Sequence, residues 1–192
     1  MTEEEYLIGI GKIVGNLQAL ELGMRLFLAD AEGEALIMPT HKDLRTNVPK
    51  THLTNHDQLR VLINKFNNKL DKHEAQYRVD LTLVDIRDAL AHGRVTTLDR
   101  LPYEIFKCGP PIRGSNMVQV VFVQTLDSAW IKQSIKQILD AFLGVAACSR
   151  GRGYPTMQGV HGAGVVSAVE PVSQRRWIAL VKCFWNWIRR QK

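Results

Sequence analysis

The chain has 192 residues, 45% of them hydrophobic, and a formal net charge of +6. That length suits one globular domain with a proper core plus an appendage, and three widely separated cysteines (Cys108, Cys148, Cys183) exclude both a disulfide framework and metal-ligand spacing. The charge is uneven: residues 1–148 hold 17 Lys+Arg against 18 Asp+Glu, a balance of −1, while residues 149–192 hold eight against one, a balance of +7. Attraction to nucleic acid or to an anionic membrane therefore belongs to the C-terminal segment.

The chain opens Met1-Thr-Glu-Glu-Glu-Tyr6, without the basic and apolar regions of a signal peptide, and no apolar run reaches the roughly 20 residues that span a bilayer. A soluble, cytoplasmic protein is expected. Residues 3–30 predict the first helix, with Leu7, Ile10, Val14, Leu17, Met24 and Leu28 in register. Gly11, Gly15 and Gly23 weaken its propensity, so close packing on a neighbour must hold it. Residues 31–53, with Pro39 and Pro49, predict a loop. Thr54-Asn-His-Asp57 fits a capping box for a second helix with core positions Leu59, Leu62, Ile63, Phe66 and Leu70. A third helix is expected from Glu74 to His92.

Beyond it, 102–107 and 117–124 are rich in β-branched and aromatic residues and flank the turn cluster Cys108-Gly-Pro-Pro-Ile-Arg-Gly-Ser-Asn116, predicting a hairpin near 102–124. Asp127 then caps a fourth helix with Trp130, Ile131, Ile135, Ile138, Phe142 and Val145 on one side. The expected fold is mainly α: a bundle of about four main helices over 1–148 with an inserted β-hairpin. Residues 149–172 are glycine-rich and without periodicity, as in a flexible linker. Residues 173–192 predict a basic, tryptophan-rich amphipathic helix, with Trp177, Leu180, Val181, Phe184, Trp187 and Ile188 opposite Arg175, Lys182, Asn186 and Arg189. Three roles fit residues 174–190: docking on the bundle or a second subunit, lying on an anionic membrane surface, or binding nucleic acid.

The stretch Leu81-Thr-Leu-Val-Asp-Ile-Arg-Asp-Ala-Leu-Ala-His-Gly-Arg94 carries the chemistry. It reads as the last turns of a helix, with Gly93 taking the left-handed conformation that closes it. Leu83, Ile86 and Leu90 share an apolar face, Asp85, Asp88 and His92 the opposite one, and Arg87 sits between. The bland reading is a surface Asp–His pair and a histidine favoured by the helix dipole. His52 and His56 lack the glutamate of a helical zinc protease and fit ordinary loop and cap residues. No residue set implies a metal or an organic cofactor.

Arg87-Asp88-Ala-Leu-Ala-His92 matches the Arg-x(4–6)-His motif of the HEPN superfamily, and the surrounding Asp85–Val95 is similar to many bacterial members. The Leu17–Glu21 and Met24–Leu28 segments resemble the first helix of several such proteins. The resemblance covers about residues 1–148. It implies a helical homodimer with two motifs facing each other and, in active members, metal-independent cleavage of RNA. Arg87 would hold the phosphate, His92 would act as acid or base, and Asp88 would support His92. Five residues of straight helix put Arg87 and His92 about 140° apart, so convergence on one phosphate calls for fraying, a reaching arginine or two subunits. Asp88 stands where the family most often has asparagine. The resemblance also implies bacterial toxin–antitoxin or phage-defence settings, with an antitoxin or other protein partner. Other members are non-catalytic interaction or nucleotide-binding modules, in which such a motif stabilises a dimer.

Overall fold

Thr2 and Glu5 start the first helix by a reciprocal cap. The Thr2 hydroxyl accepts from the Glu5 N–H at 3.1 Å, and the Glu5 carboxylate accepts from the Thr2 N–H at 2.8 Å. The resulting α1 spans Glu3–Ala31. It is followed by α2 (Leu59–Lys69), α3 (Thr82–His92), β1 (Arg94–Thr96), β2 (Glu104–Pro111), β3 (Val118–Thr125) and α4 (Ser128–Gly151). This computed structural model describes residues 1–34, 36, 39–96 and 101–151, with residues 150 and 151 described by backbone alone. The predicted linker beyond 151 and the predicted helix over 173–192 lie outside them. The described chain is mainly helical with a small antiparallel sheet, and none of its described helices is long and apolar enough to cross a membrane.

Two glycines bring α1 against α4. A methyl on Gly9 would lie 2.7 Å from Ile131 Cγ2, and one on Gly23 would lie 3.5 Å from Val145 Cγ1. Both contacts advance by two heptads (9 to 23, 131 to 145), so the helices run in the same direction and keep one seam each in contact. The seam corrects the predicted face of α1 at two positions. Leu7 and Val14 are exposed, while Leu17, Met24 and Leu28 enter the core as expected, joined by Tyr6, Ile13, Leu20 and Phe27. Apolar residues run nearly all round this helix, so periodicity cannot choose the face and glycine-mediated approach does. Gly23 packs as expected, but Gly11 and Gly15 meet nothing within 4 Å among the described residues.

The α2 core positions Leu59, Leu62, Ile63 and Phe66 are buried, and Phe66 meets Phe27 edge-on at 4.8 Å. The Thr54 capping box does not form. The Thr54 hydroxyl instead accepts from the Thr51 N–H and donates to the Pro49 carbonyl, and α2 starts four residues later without a side-chain cap.

The predicted third helix starts eight residues late. Asp71 accepts from the N–H groups of His73 and Glu74, Ala75–Tyr77 form a 3₁₀ turn, and Asn67 bonds both the N–H and the carbonyl of Val79. That bracket holds Val79 buried and outside any helix, so helical geometry resumes only after Asp80 accepts from the Thr82 N–H.

The predicted hairpin has a third strand. β1 pairs antiparallel with β2 (Arg94↔Phe106, Val95↔Ile105, Thr96↔Glu104), and β2 with β3 (Lys107↔Phe122), in the order β1-β2-β3. Gly109-Pro110-Pro111 belong to β2, at register shifts where the prolines' missing donors do no harm; the turn itself centres on Gly114, at φ +77°. Asp127 caps α4 as expected, its carboxylate accepting from the Trp130 N–H at 2.7 Å.

Candidate functional site

The motif helix α3 buries Leu83, Val84, Ile86 and Ala89, leaves Arg87, Asp88 and Leu90 half-buried, and exposes Asp85 and His92. Its end differs from expectation. Gly93 has φ −71° and ψ 159°, extended rather than left-handed. Glycine is required there for space: a Cβ would collide with the Ala89 carbonyl oxygen and come 2.7 Å from Ile105 Cγ1. The Gly93 N–H still closes the helix on Ala89 O at 2.7 Å, and the chain passes directly into β1. The motif thus ends on the sheet, with β2 beneath it.

That packing brings Lys107, invisible to the sequence reading, to the motif. Asp88 Oδ1 lies 3.1 Å from Arg87 Nη1, and Asp88 Oδ2 lies 3.5 Å from Lys107 Nζ. Asp88 is therefore the partner of two cations. The expected side-chain bond from Asp88 to His92 is not formed, and among the described residues the His92 side chain makes no hydrogen bond or ion pair. Within one chain nothing joins Arg87 to His92, as their angular separation on α3 requires.

Arg87 also borders a groove of about 300 Å³ between α1, α3 and the start of α2, lined by Val14, Gln18, Glu21, Leu59, Leu90 and Arg87 among others. Along α1 this groove continues into an exposed line, Leu7, Gly11, Val14 and Gln18, spaced four, three and four residues apart. A larger cleft of about 450 Å³ lies between α4 and the 3₁₀ turn before α3, near Tyr77, Arg78, Asp140 and Gly144. It touches none of Arg87, Asp88 or His92, so the smaller groove is the one relevant to the motif.

Two further polar clusters went unseen in the sequence. Arg25, 8% exposed, donates to the carbonyls of His52 (2.9 Å) and Asp57 (2.8 Å), to Asn55 Oδ1 (2.6 Å) and to Glu21 (2.9 Å). It clasps the 52–57 loop to α1 and accounts for the late start of α2. His52 is buried rather than an ordinary loop residue. Its Nε2 lies 2.9 Å from Glu32 Oε2, and its backbone N–H donates to Glu34 Oε2 at 2.7 Å. The Glu32 carboxyl sits below the usual range, first because of the His52 hydrogen bond and then that of Lys69.

Ligand atoms of Glu32, Glu34 and His52 lie within 4.8 Å of one another, the spacing a divalent cation needs. The chemistry favours a structural anchor. Lys69 already pairs with Glu32 at 3.1 Å, and the buried His52 Nδ1 has no partner among the described residues. A metal on Nε2 would move the ring proton to Nδ1, where nothing accepts it.

Compared with family models, with curated proteins and with solved structures, the chain finds no match.

Proposed function

We propose that this chain is a HEPN-type, metal-independent endoribonuclease that acts as a homodimer, a helical-bundle domain with Arg87 and His92 as its working pair. The observation that carries the reading is the state of these two side chains. Arg87 keeps a partly exposed guanidinium beside an open groove, and the His92 side chain stands exposed at the helix end with no polar partner among the described residues. One arginine to hold the non-bridging oxygens and one histidine to move a proton are the groups that a metal-free cleavage of RNA needs. In that reaction the ribose 2′-oxygen attacks phosphorus and loses its proton to an imidazole. The bond to the 5′-oxygen breaks, and that oxygen takes a proton from an imidazolium.

The separation of the two side chains on one helix supports a dimer. A single straight helix keeps Arg87 and His92 apart, so the site is completed by a second copy. The exposed Leu7–Gly11–Val14–Gln18 line beside the groove, with Leu7 and Val14 as its apolar members, is the surface such a copy would cover. Complementation tests this. Arg87→Ala and His92→Ala should each be inactive alone, and mixing them should restore cleavage through the one composite site that keeps both residues. Two inactive proteins that stay inactive after verified subunit exchange would contradict a shared site.

One observation favours a second reading, a non-catalytic HEPN interaction or nucleotide-binding module. The Arg87 guanidinium is already paired with Asp88, as in a motif that stabilises an interface. Under that reading, cleavage is absent and Arg87→Ala weakens the dimer. An RNA substrate, an antitoxin-like partner and a role of residues 174–190 at a membrane surface remain proposals that follow from the same resemblance and the tail's composition.

A further inference from the structure

Asp88 stands where members of the resembled family most often have asparagine, and its surroundings give it a use. Lys107 is fixed by the sheet. It shares a face of β2 with Ile105, two residues earlier, and Ile105 is 1% exposed beneath Gly93. The ammonium is thereby delivered to Asp88 Oδ2, while Arg87 holds Oδ1. One carboxylate thus spans two cations from two different elements. All three side chains are about one-third exposed (39% for Arg87, 31% for Asp88, 35% for Lys107), so an incoming anion reaches them. Ion pairs at such exposure are weak. A phosphate offers more acceptor oxygens and matches a guanidinium in two parallel bonds, so it competes well for the same donors. His92 follows Asp88 by four residues on the same side of α3, so an anion in that place lies on the histidine's side of the helix.

We propose that Asp88 is an internal stand-in for an RNA phosphate, and that Lys107 joins Arg87 as a second phosphate-binding residue. The inference rests on the nuclease reading of Arg87 and His92 and adds a residue and a device to it. Without RNA, Asp88 neutralises the two cations. When RNA binds, a backbone phosphate displaces the carboxylate, and its repulsion weakens binding and speeds release.

The test is binding of a short single-stranded RNA with every 2′-hydroxyl methylated, which cannot be cleaved by this route. Fluorescence anisotropy across a series of NaCl concentrations compares the native protein with Lys107→Ala, Lys107→Arg and Asp88→Asn. Lys107→Ala should weaken binding about fivefold and make the slope of log K against log salt shallower by about 0.7, the value for one phosphate contact on a single strand. Lys107→Arg should keep the native slope, which a merely structural lysine would not require. Asp88→Asn should tighten binding about threefold. An unchanged slope in Lys107→Ala, or weaker binding in Asp88→Asn, while the native protein binds and cleaves RNA, overturns this inference and leaves the nuclease reading standing. A native protein that binds no RNA overturns both.

Discussion

Gly93→Ala isolates what shapes the end of the motif helix. The added methyl meets two things that cannot yield cheaply: the Ala89 carbonyl oxygen, which accepts the helix-closing bond, and the buried Ile105 side chain, at 2.7 and 2.8 Å. Overpacking of a buried site costs about 1–3 kcal/mol, and loosening the Gly93–Ala89 bond adds about 1 kcal/mol. The sum, about 2–4 kcal/mol, corresponds to a fall in Tm of roughly 5–15 °C for a chain of this size. Thermal and urea unfolding followed by circular dichroism measure it. Gly93→Asn is the sharper variant. Asparagine tolerates a left-handed residue well, so it would be mild if φ were positive, whereas at φ −71° it suffers the same collision as alanine. Ile105→Val removes the Cδ1 contact, so Gly93→Ala combined with Ile105→Val should lose less than the two single losses added together. A mild Gly93→Asn beside a damaging Gly93→Ala, or strict additivity with Ile105→Val, would refute the steric account.

Three further outcomes follow from the packing. Arg25→Ala should destabilise the protein by about 3 kcal/mol in urea unfolding, because the loop carbonyls and Glu21 lose their common donor; Arg25→Lys should recover little, lacking the planar fork. Gly9→Ala should cost about 1–3 kcal/mol through its contact with Ile131, whereas Gly15→Ala, with open space around it, should gain about 0.5–1 kcal/mol from helix propensity when the chain is monomeric. Glu32 gives a pH dependence. Its folded pKa is depressed, so its contribution is full above the unfolded value near 4.3 and is lost as pH falls through the folded value. Asp57, held low by Lys65, and Asp43, held low by Thr40, act in the same sense. Thermal unfolding should therefore fall less steeply below about pH 4 in Glu32→Gln than in the native protein.

Local signals were legible where one interaction decides the outcome. The α2 core, the Asp127 cap and the buried side of α4 follow from spacing and from one carboxylate three residues before an N–H. The face of α1 was legible only in its second half, where Leu17, Met24 and Leu28 are buried, since its apolar residues run round the helix and the deciding feature is the approach of Gly9 and Gly23 to α4. The start of α3 was hidden because Asn67, twelve residues upstream of Val79, binds both backbone groups of that residue and keeps it out of the helix. β1 has three residues, too few for a periodicity, and exists through its pairing with β2. Within the candidate site, Arg87, Asp88 and His92 stand out in sequence because they sit on one helix. Lys107 lies nineteen residues from Asp88 and is delivered by the sheet, so no spacing reveals it. The Arg25 clasp escapes for the same reason: its partners are backbone carbonyls, which carry no sequence signal.

The central claim is that Arg87 and His92 cleave RNA. Its most direct test is incubation of RNA with the purified native protein in EDTA, beside Arg87→Ala and His92→Ala, with the oligomeric state of each measured in parallel. The account predicts cleavage by the native protein and loss of cleavage in both variants while the dimer persists. Cleavage that survives both substitutions, or a native dimer that leaves varied RNAs intact, would contradict it.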